Sequence, residues 1–227
     1  MTANVGDLSQ AAAAMMPKPA TLFRDVRRTR RRVNPTPLIP NDGDTIFNVP
    51  NEYSTYNDVE PFLRYDNHQQ NRTMLFCTPT SATFLSNSPH WFMDGTFGVP
   101  PQFCQLYTVH GLRANRTIPC AYALLPNKQE ATYNNMCTQI RAVVPGAPQS
   151  VVTDFEKGAI NAVADAYPGV DQRGCLYHLT SNIYINVQNR GLQPLYNNDN
   201  VFRQFLSGLP LVPLADVIDS FYTIVNN

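Results

Sequence analysis

The sequence predicts an α/β fold: a mixed sheet in which three antiparallel strands precede strand–helix alternation, followed by a C-terminal helical segment. Three observations predict it. Apolar, β-rich stretches at 90–97, 103–110 and 117–125 follow one another through short connections, as in an antiparallel meander. Strand-like and helix-like stretches then alternate, as parallel strands joined by helical crossovers do. With 227 residues, 43% of them hydrophobic, the chain is long enough to bury one core and carry tails.

In chain order, Arg72-Thr-Met-Leu-Phe-Cys-Thr-Pro79 reads as a strand, and 80–89 as a short helix or loop ending at Ser88-Pro89. The three-strand run follows, with Pro119 predicting a bulge or an edge position because it cannot donate to a ladder. Asn127 with Glu130 three later is a capping pattern. Tyr133, Met136, Cys137, Ile140 and Val144 then recur at helical spacing, and Pro145-Gly146 stops the helix. Residues 150–153 form a short buried strand. Ala159, Ile160, Val163, Ala164 and Tyr167 mark a helix closed by Pro168-Gly169, and 173–177 reads as a strand. Leu179, Ile183 and Val187 form a helical stripe ended by Gly191, with further helical stretches near 199–207 and 214–225. Three strands, then helix, strand, helix, strand, helix is the RNase H-like order.

The net charge of zero hides an asymmetry. Residues 1–35 hold seven basic residues against Asp7 and Asp25, or +5; the rest hold ten basic against fifteen acidic, or −5. The run containing Arg27, Arg28, Arg30, Arg31 and Arg32 suits nucleic-acid phosphates or a nuclear import signal, and equally a solvated arm. The chain therefore divides into a basic, disordered arm (1–34), an irregular Pro-, Asn- and Asp-rich lead-in (35–89) and the α/β domain (90–227). Five cysteines, odd in number and widely spaced without a secretory signal, favour a reducing compartment. The sequence has no apolar run of about 18 residues, the length of a membrane helix.

Asp94 sits inside the apolar strand His90-Trp-Phe-Met-Asp-Gly-Thr-Phe97, where an acid is costly without a partner; Gly95 beside it leaves room for close approach. Asp154 ends the strand Ser150-Val-Val-Thr-Asp154, and sites in α/β sheets gather at the carboxyl ends of parallel strands. If the first and fourth strands are neighbours, the two carboxylates meet. Hard oxygen ligands then suit Mg²⁺ or Mn²⁺, which can activate a nucleophile on a phosphodiester. For Asp154 a helix cap near Phe155 is the competing reading. In Cys175-Leu-Tyr-His178, a C-x-x-H pair offers two ligands where structural zinc needs four, so zinc is not expected. Cys175 reads as a small core residue, and His178 either faces the carboxylates or caps the following helix.

Trp91-Phe-Met-Asp-Gly-Thr-Phe97, Gln105-Leu-Tyr-Thr-Val-His110, Pro119-Cys-Ala-Tyr-Ala-Leu-Leu-Pro-Asn-Lys128, Val152-Thr-Asp-Phe-Glu156 and Gly174-Cys-Leu-Tyr-His-Leu179, in this order, resemble the MULE (Mutator-like element) transposase domain. The resemblance runs from about 90 to 222. It implies an RNase H-like DDE transposase that cleaves and joins DNA with Mg²⁺ or Mn²⁺, acts in the nucleus, and is homo-oligomeric in the intact protein. Carried over, Asp94 and Asp154 are the first two metal-binding acids, and Cys175 and His178 the C-x-x-H pair, with His178 placed among the catalytic residues. The third acid of such a core is a Glu beyond that pair; here Glu52, Glu60, Glu130 and Glu156 all precede His178. The expectation is a C-terminally incomplete domain, with a catalytically inactive, domesticated or remnant DNA- or protein-binding module as the alternative.

Overall fold

The structure, a computed structural model, describes residues 19–33, 46–98, 101–219 and 222. It divides into two units, 1–41 and 42–227. In the first, α1 (Pro19–Val33) is a helix where the composition predicted a disordered arm. Proline at its start is tolerated because that N–H has no intrahelical partner, and the arginines that follow are good helix formers. The rest of the expected arm lies outside the described residues.

The second unit opens with a helical turn, α2 (Asn51–Ser54), and a small hairpin of β1 (Thr55–Tyr56) and β2 (Glu60–Pro61). There follow β3 (Leu63–Asp66), β4 (Met74–Phe76), α3 (Pro79–Ser86), β5 (His90–Thr96), β6 (Gln105–Arg113) and β7 (Arg116–Leu125). Next come α4 (Glu130–Val143), β8 (Ser150–Thr153), α5 (Lys157–Ala166), β9 (Asp171–Gly174), α6 (Leu176–Asn189), α7 (Gln193–Asn198) and α8 (Asn200–Gly208). Short 3₁₀ turns follow at Leu209–Leu211 and Leu214–Asp216, the second leading into helical residues 217–219 within the late helix expected at 214–225.

β3 to β9 form one seven-stranded mixed sheet in the order β3-β4-β7-β6-β5-β8-β9. β8 is parallel to both β5 and β9, and the other pairs are antiparallel. This arrangement is compatible with the RNase H-like fold. β4 is the strand expected at 72–79, and β3, in the expected irregular lead-in, is an addition; together they extend the sheet past β7.

Alternation along the strands decides the two faces. Trp91, Met93, Tyr107, Val109 and Val151 are buried with Leu85 of α3, Tyr133, Met136 and Ile140 of α4, and Ala159, Ala162 and Val163 of α5. Residues of the opposite phase, including Phe92, Asp94, Thr108 and His110, are less buried. The Trp91 indole N–H donates to the carbonyls of Leu85 and Ser88, both at 3.0 Å, fixing where β5 begins.

Three local expectations come out differently. Asn127 does not cap α4, whose N-cap is Gln129; its side chain instead accepts from Gln129 N–H and the Thr132 hydroxyl. Glu130 is free of the capping box and accepts from Asn161 of α5. The strand expected at 173–177 is β9, ending at Gly174, because the helix claims Leu176 onward. The Pro119 expectation holds. Val109 pairs with Ala121 and His110 with Pro119, so Cys120 is the extra residue of a bulge, and β4 reaches only residues 122–124.

Candidate functional site

Register brings the two acids together. β5 and β8 pair in parallel as His90↔Ser150, Trp91↔Val151 and Phe92↔Val152. Continuing that register by two residues sets Asp94 level with Asp154, at the carboxyl ends of neighbouring parallel strands, where α/β folds build their sites. Because the side-chain period of a strand is two, Asp94 keeps the phase of Phe92, away from the core helices, while Asp154 lies one residue past the end of β8. The Asp94 side chain is about half exposed, at 51%, while Asp154 is buried at 9%.

Asp154 is not a helix cap. The N-cap of α5 is Glu156, and the Asp154 carboxylate accepts from Glu156 N–H at 3.2 Å within the loop before the helix. Burial pushes its carboxyl above the ordinary carboxylate value; the Glu156 N–H opposes this, the Glu156 and Asp94 carboxylates add to it, and His178 opposes it. A buried carboxylate beside two others is short of positive charge, and its donor set is hard oxygen, so the pair fits a divalent cation such as Mg²⁺ or Mn²⁺.

His178 comes to the same place through β9. Thr153 pairs with Gly174, and Cys175 N–H donates to the Thr153 carbonyl at 2.7 Å, so α6 starts directly beside the end of β8. Cys175 is the N-cap of α6, and His178 lies in its first turn with Nε2 at 3.7 Å from Asp94 Oδ1. His178 Nδ1 is buried without a hydrogen-bond partner. Cys175 and His178 thus part company: the cysteine supplies backbone geometry and the histidine faces a carboxylate. All five thiols are free. Among the described residues, no three His, Cys, Asp or Glu side chains are grouped as a metal-ligand set, so Asp94 and Asp154 stand as a two-acid arrangement.

Sequence reasoning did not single out the groups around the acids. On β6 the Thr108 hydroxyl donates to the Asp94 carbonyl at 3.3 Å and lies 3.0 Å from His110 Nε2. Burial holds the His110 imidazole below its ordinary value, and Asp94 partly offsets this. Gln105, Tyr133 and Glu156 form a further polar chain, with Lys128 on the outer Glu156 oxygen. A polar Gln105 in the buried phase of an otherwise apolar strand is the signal that could have found it.

Of the basic residues singled out, Arg27 and Arg28 are exposed on α1, and the side chains of Arg30, Arg31 and Arg32 lie outside the described ones. No described helix is long and apolar enough to cross a membrane. Residues 90–182 match the family model described as the MULE transposase domain, a span that contains Asp94, Asp154, Cys175 and His178 and ends short of residue 222. No curated protein matches the chain.

Proposed function

From the premise that this transposon-derived chain carries a MULE transposase domain across residues 90–182, we propose that Asp94 and Asp154 are the divalent-cation acids of an RNase H-like core for DNA strand cleavage and transfer. The observation that carries this reading is the parallel β5–β8 pairing, which runs to Phe92↔Val152 and leads both strands on toward Asp94 and Asp154. A cation such as Mg²⁺ or Mn²⁺ held there supplies Lewis-acid polarisation of a phosphodiester and a more acidic bound water. The chain's own residues do the remaining work. Asp154, fixed by the Glu156 N–H, gives the site a rigid oxygen. Asp94, more exposed, faces the substrate side. His178 Nε2 lies 3.7 Å from Asp94 Oδ1, close enough to take part in proton transfer there once substrate is bound.

The family implies interaction with DNA, and the basic helix α1 supports a phosphate-binding role for Arg27, Arg28, Arg30, Arg31 and Arg32, together with nuclear targeting. The same helix favours a second reading, a DNA-binding module without turnover. Two measurements separate the readings. In the first, Mn²⁺ is titrated into the wild type, Asp94→Asn and Asp154→Asn; the expectation is a single class of site lost in both variants. Equal Mn²⁺ affinity in all three proteins would end the cation-site reading. In the second, duplex DNA binding is followed against salt. The module reading expects a steep loss of affinity, with a log–log slope of about −0.9 per phosphate contact, that flattens when residues 1–34 are removed.

A further inference from the structure

We propose that Gln105, Tyr133 and Glu156 form a buried positioning bridge that holds the ends of the two acid-bearing strands at a fixed spacing for a divalent cation, an inference that rests on the cation-site reading above. The ladder between β5 and β8 ends at Phe92↔Val152, two residues short of Asp94 and Asp154, while Asp94 itself stays paired with Thr108 of β6. Beyond that ladder the bridge links β6, which holds Asp94, to the loop that holds Asp154.

Its first end touches Gly95, the neighbour of Asp94. A Cβ on Gly95 would meet Gln105 Oε1 at 2.5 Å, so the Gln105 amide lies directly against the Gly95 backbone. Gln105 Nε2 donates to the Tyr133 hydroxyl at 2.8 Å, and the hydroxyl donates to Glu156 Oε2. Gln105 and Tyr133 are both fully buried. Glu156 is the far end; its own N–H donates to the Asp154 carboxylate. Its other oxygen pairs with Lys128 Nζ, which sits 3.9 Å above the Phe97 ring.

The direction of the bridge is fixed. Burial above all, with the Glu156 carboxylate adding to it, keeps the Tyr133 hydroxyl protonated although the Gln105 amide opposes this. The arrangement carries a cost in stability, because Gln105 Oε1 is buried without a partner and buried polar chains are weaker packing than apolar side chains. Such a chain is explained by what it specifies: the spacing of Gly95 and Glu156, hence of the two acids beside them.

The test is Mn²⁺ affinity of the full chain, measured below the unfolding temperature with the melting temperature recorded beside it. Tyr133→Phe keeps the ring, and Gln105→Leu keeps the volume; neither changes charge or touches the Asp94 or Asp154 carboxylates. Each is expected to weaken Mn²⁺ by about tenfold, the lower range for supporting residues around a metal site. The double variant is expected to be no worse than either single, because each breaks the same bridge. Unchanged affinity in either folded single variant overturns the proposal, even where the melting temperature falls, and so do fully additive losses. Mn²⁺ binding that survives in both Asp94→Asn and Asp154→Asn is a different failure: it removes the cation-site reading, and this inference with it.

Discussion

At the scale of single residues, the structure spends stability in one place and gains it in another. Arg72 is fully buried, its Nε donating to Asp66 Oδ1 at 2.8 Å and its Nη1 to the Phe47 carbonyl at 2.7 Å. Asp66→Asn removes the carboxylate that offsets the charge of that buried guanidinium and is expected to cost about 3–5 kcal/mol in urea unfolding. Burial alone would raise the Asp66 carboxyl, but Arg72 and the His68 N–H together hold it below its ordinary 3.8. A depressed folded value means the stabilisation is present above 3.8 and is lost as pH falls through the lower folded value. An acid-unfolding titration should therefore show this loss in the wild type and not in Asp66→Asn. Asp154 is the opposite case: its ionised form is penalised by burial and by neighbouring carboxylates. Asp154→Asn is expected to raise the melting temperature of the metal-free protein at pH 7 while removing Mn²⁺ binding, the trade common at functional positions. A melting temperature lowered by this substitution would show that the carboxylate serves the fold.

At the scale of elements, glycine and turn geometry set where strands end. A Cβ on Gly174 would meet the outer edge of the Phe155 ring at 2.5 and 2.6 Å, so the loop that carries Asp154 lies against the end of β9 there. Gly174→Ala is expected to destabilise by about 1–3 kcal/mol through overpacking and to weaken Mn²⁺ binding as that loop shifts; thermal melts and Mn²⁺ titration read the two effects separately. The β6–β7 hairpin turns through Ala114 and Asn115 at φ +50 and +59, as a two-residue turn of this hand requires. Asparagine tolerates that conformation and alanine does not, so Ala114→Gly should gain up to about 1 kcal/mol in chemical denaturation. A loss on that substitution would mean the alanine side chain packs in a way that outweighs its backbone strain.

At the scale of the molecule, the lead-in is part of the sheet. β4 pairs with residues 122–124 of β7, β3 covers β4, and Leu75, Cys77 and Leu85 are core residues. Removing residues 1–89 is expected to expose the β7 edge, an invitation to aggregation, and to abolish cooperative unfolding. Removing residues 1–41 leaves the second unit whole and should keep a single transition in calorimetry. A stable, monomeric 90–227 fragment would show the added strands to be dispensable.

The sequence by itself determined the identity and order of the central elements, because apolar periodicity switches between two and 3.6 along the chain and Pro-Gly pairs punctuate it. It also marked two acids as candidates: Asp94 lies inside an apolar strand, and Asp154 follows a short buried one. Local caps were not legible, since Asn127 had several donors within reach and only the approach of α5 drew Glu130 away. The parallel pairing of β5 with β8, the approach of His178 to Asp94, and the bridge from Gln105 to Glu156 were decided by the tertiary structure. Residues 23 to 84 positions apart meet only when β8 inserts beside β5, and no local propensity encodes a register between strands so distant in the chain.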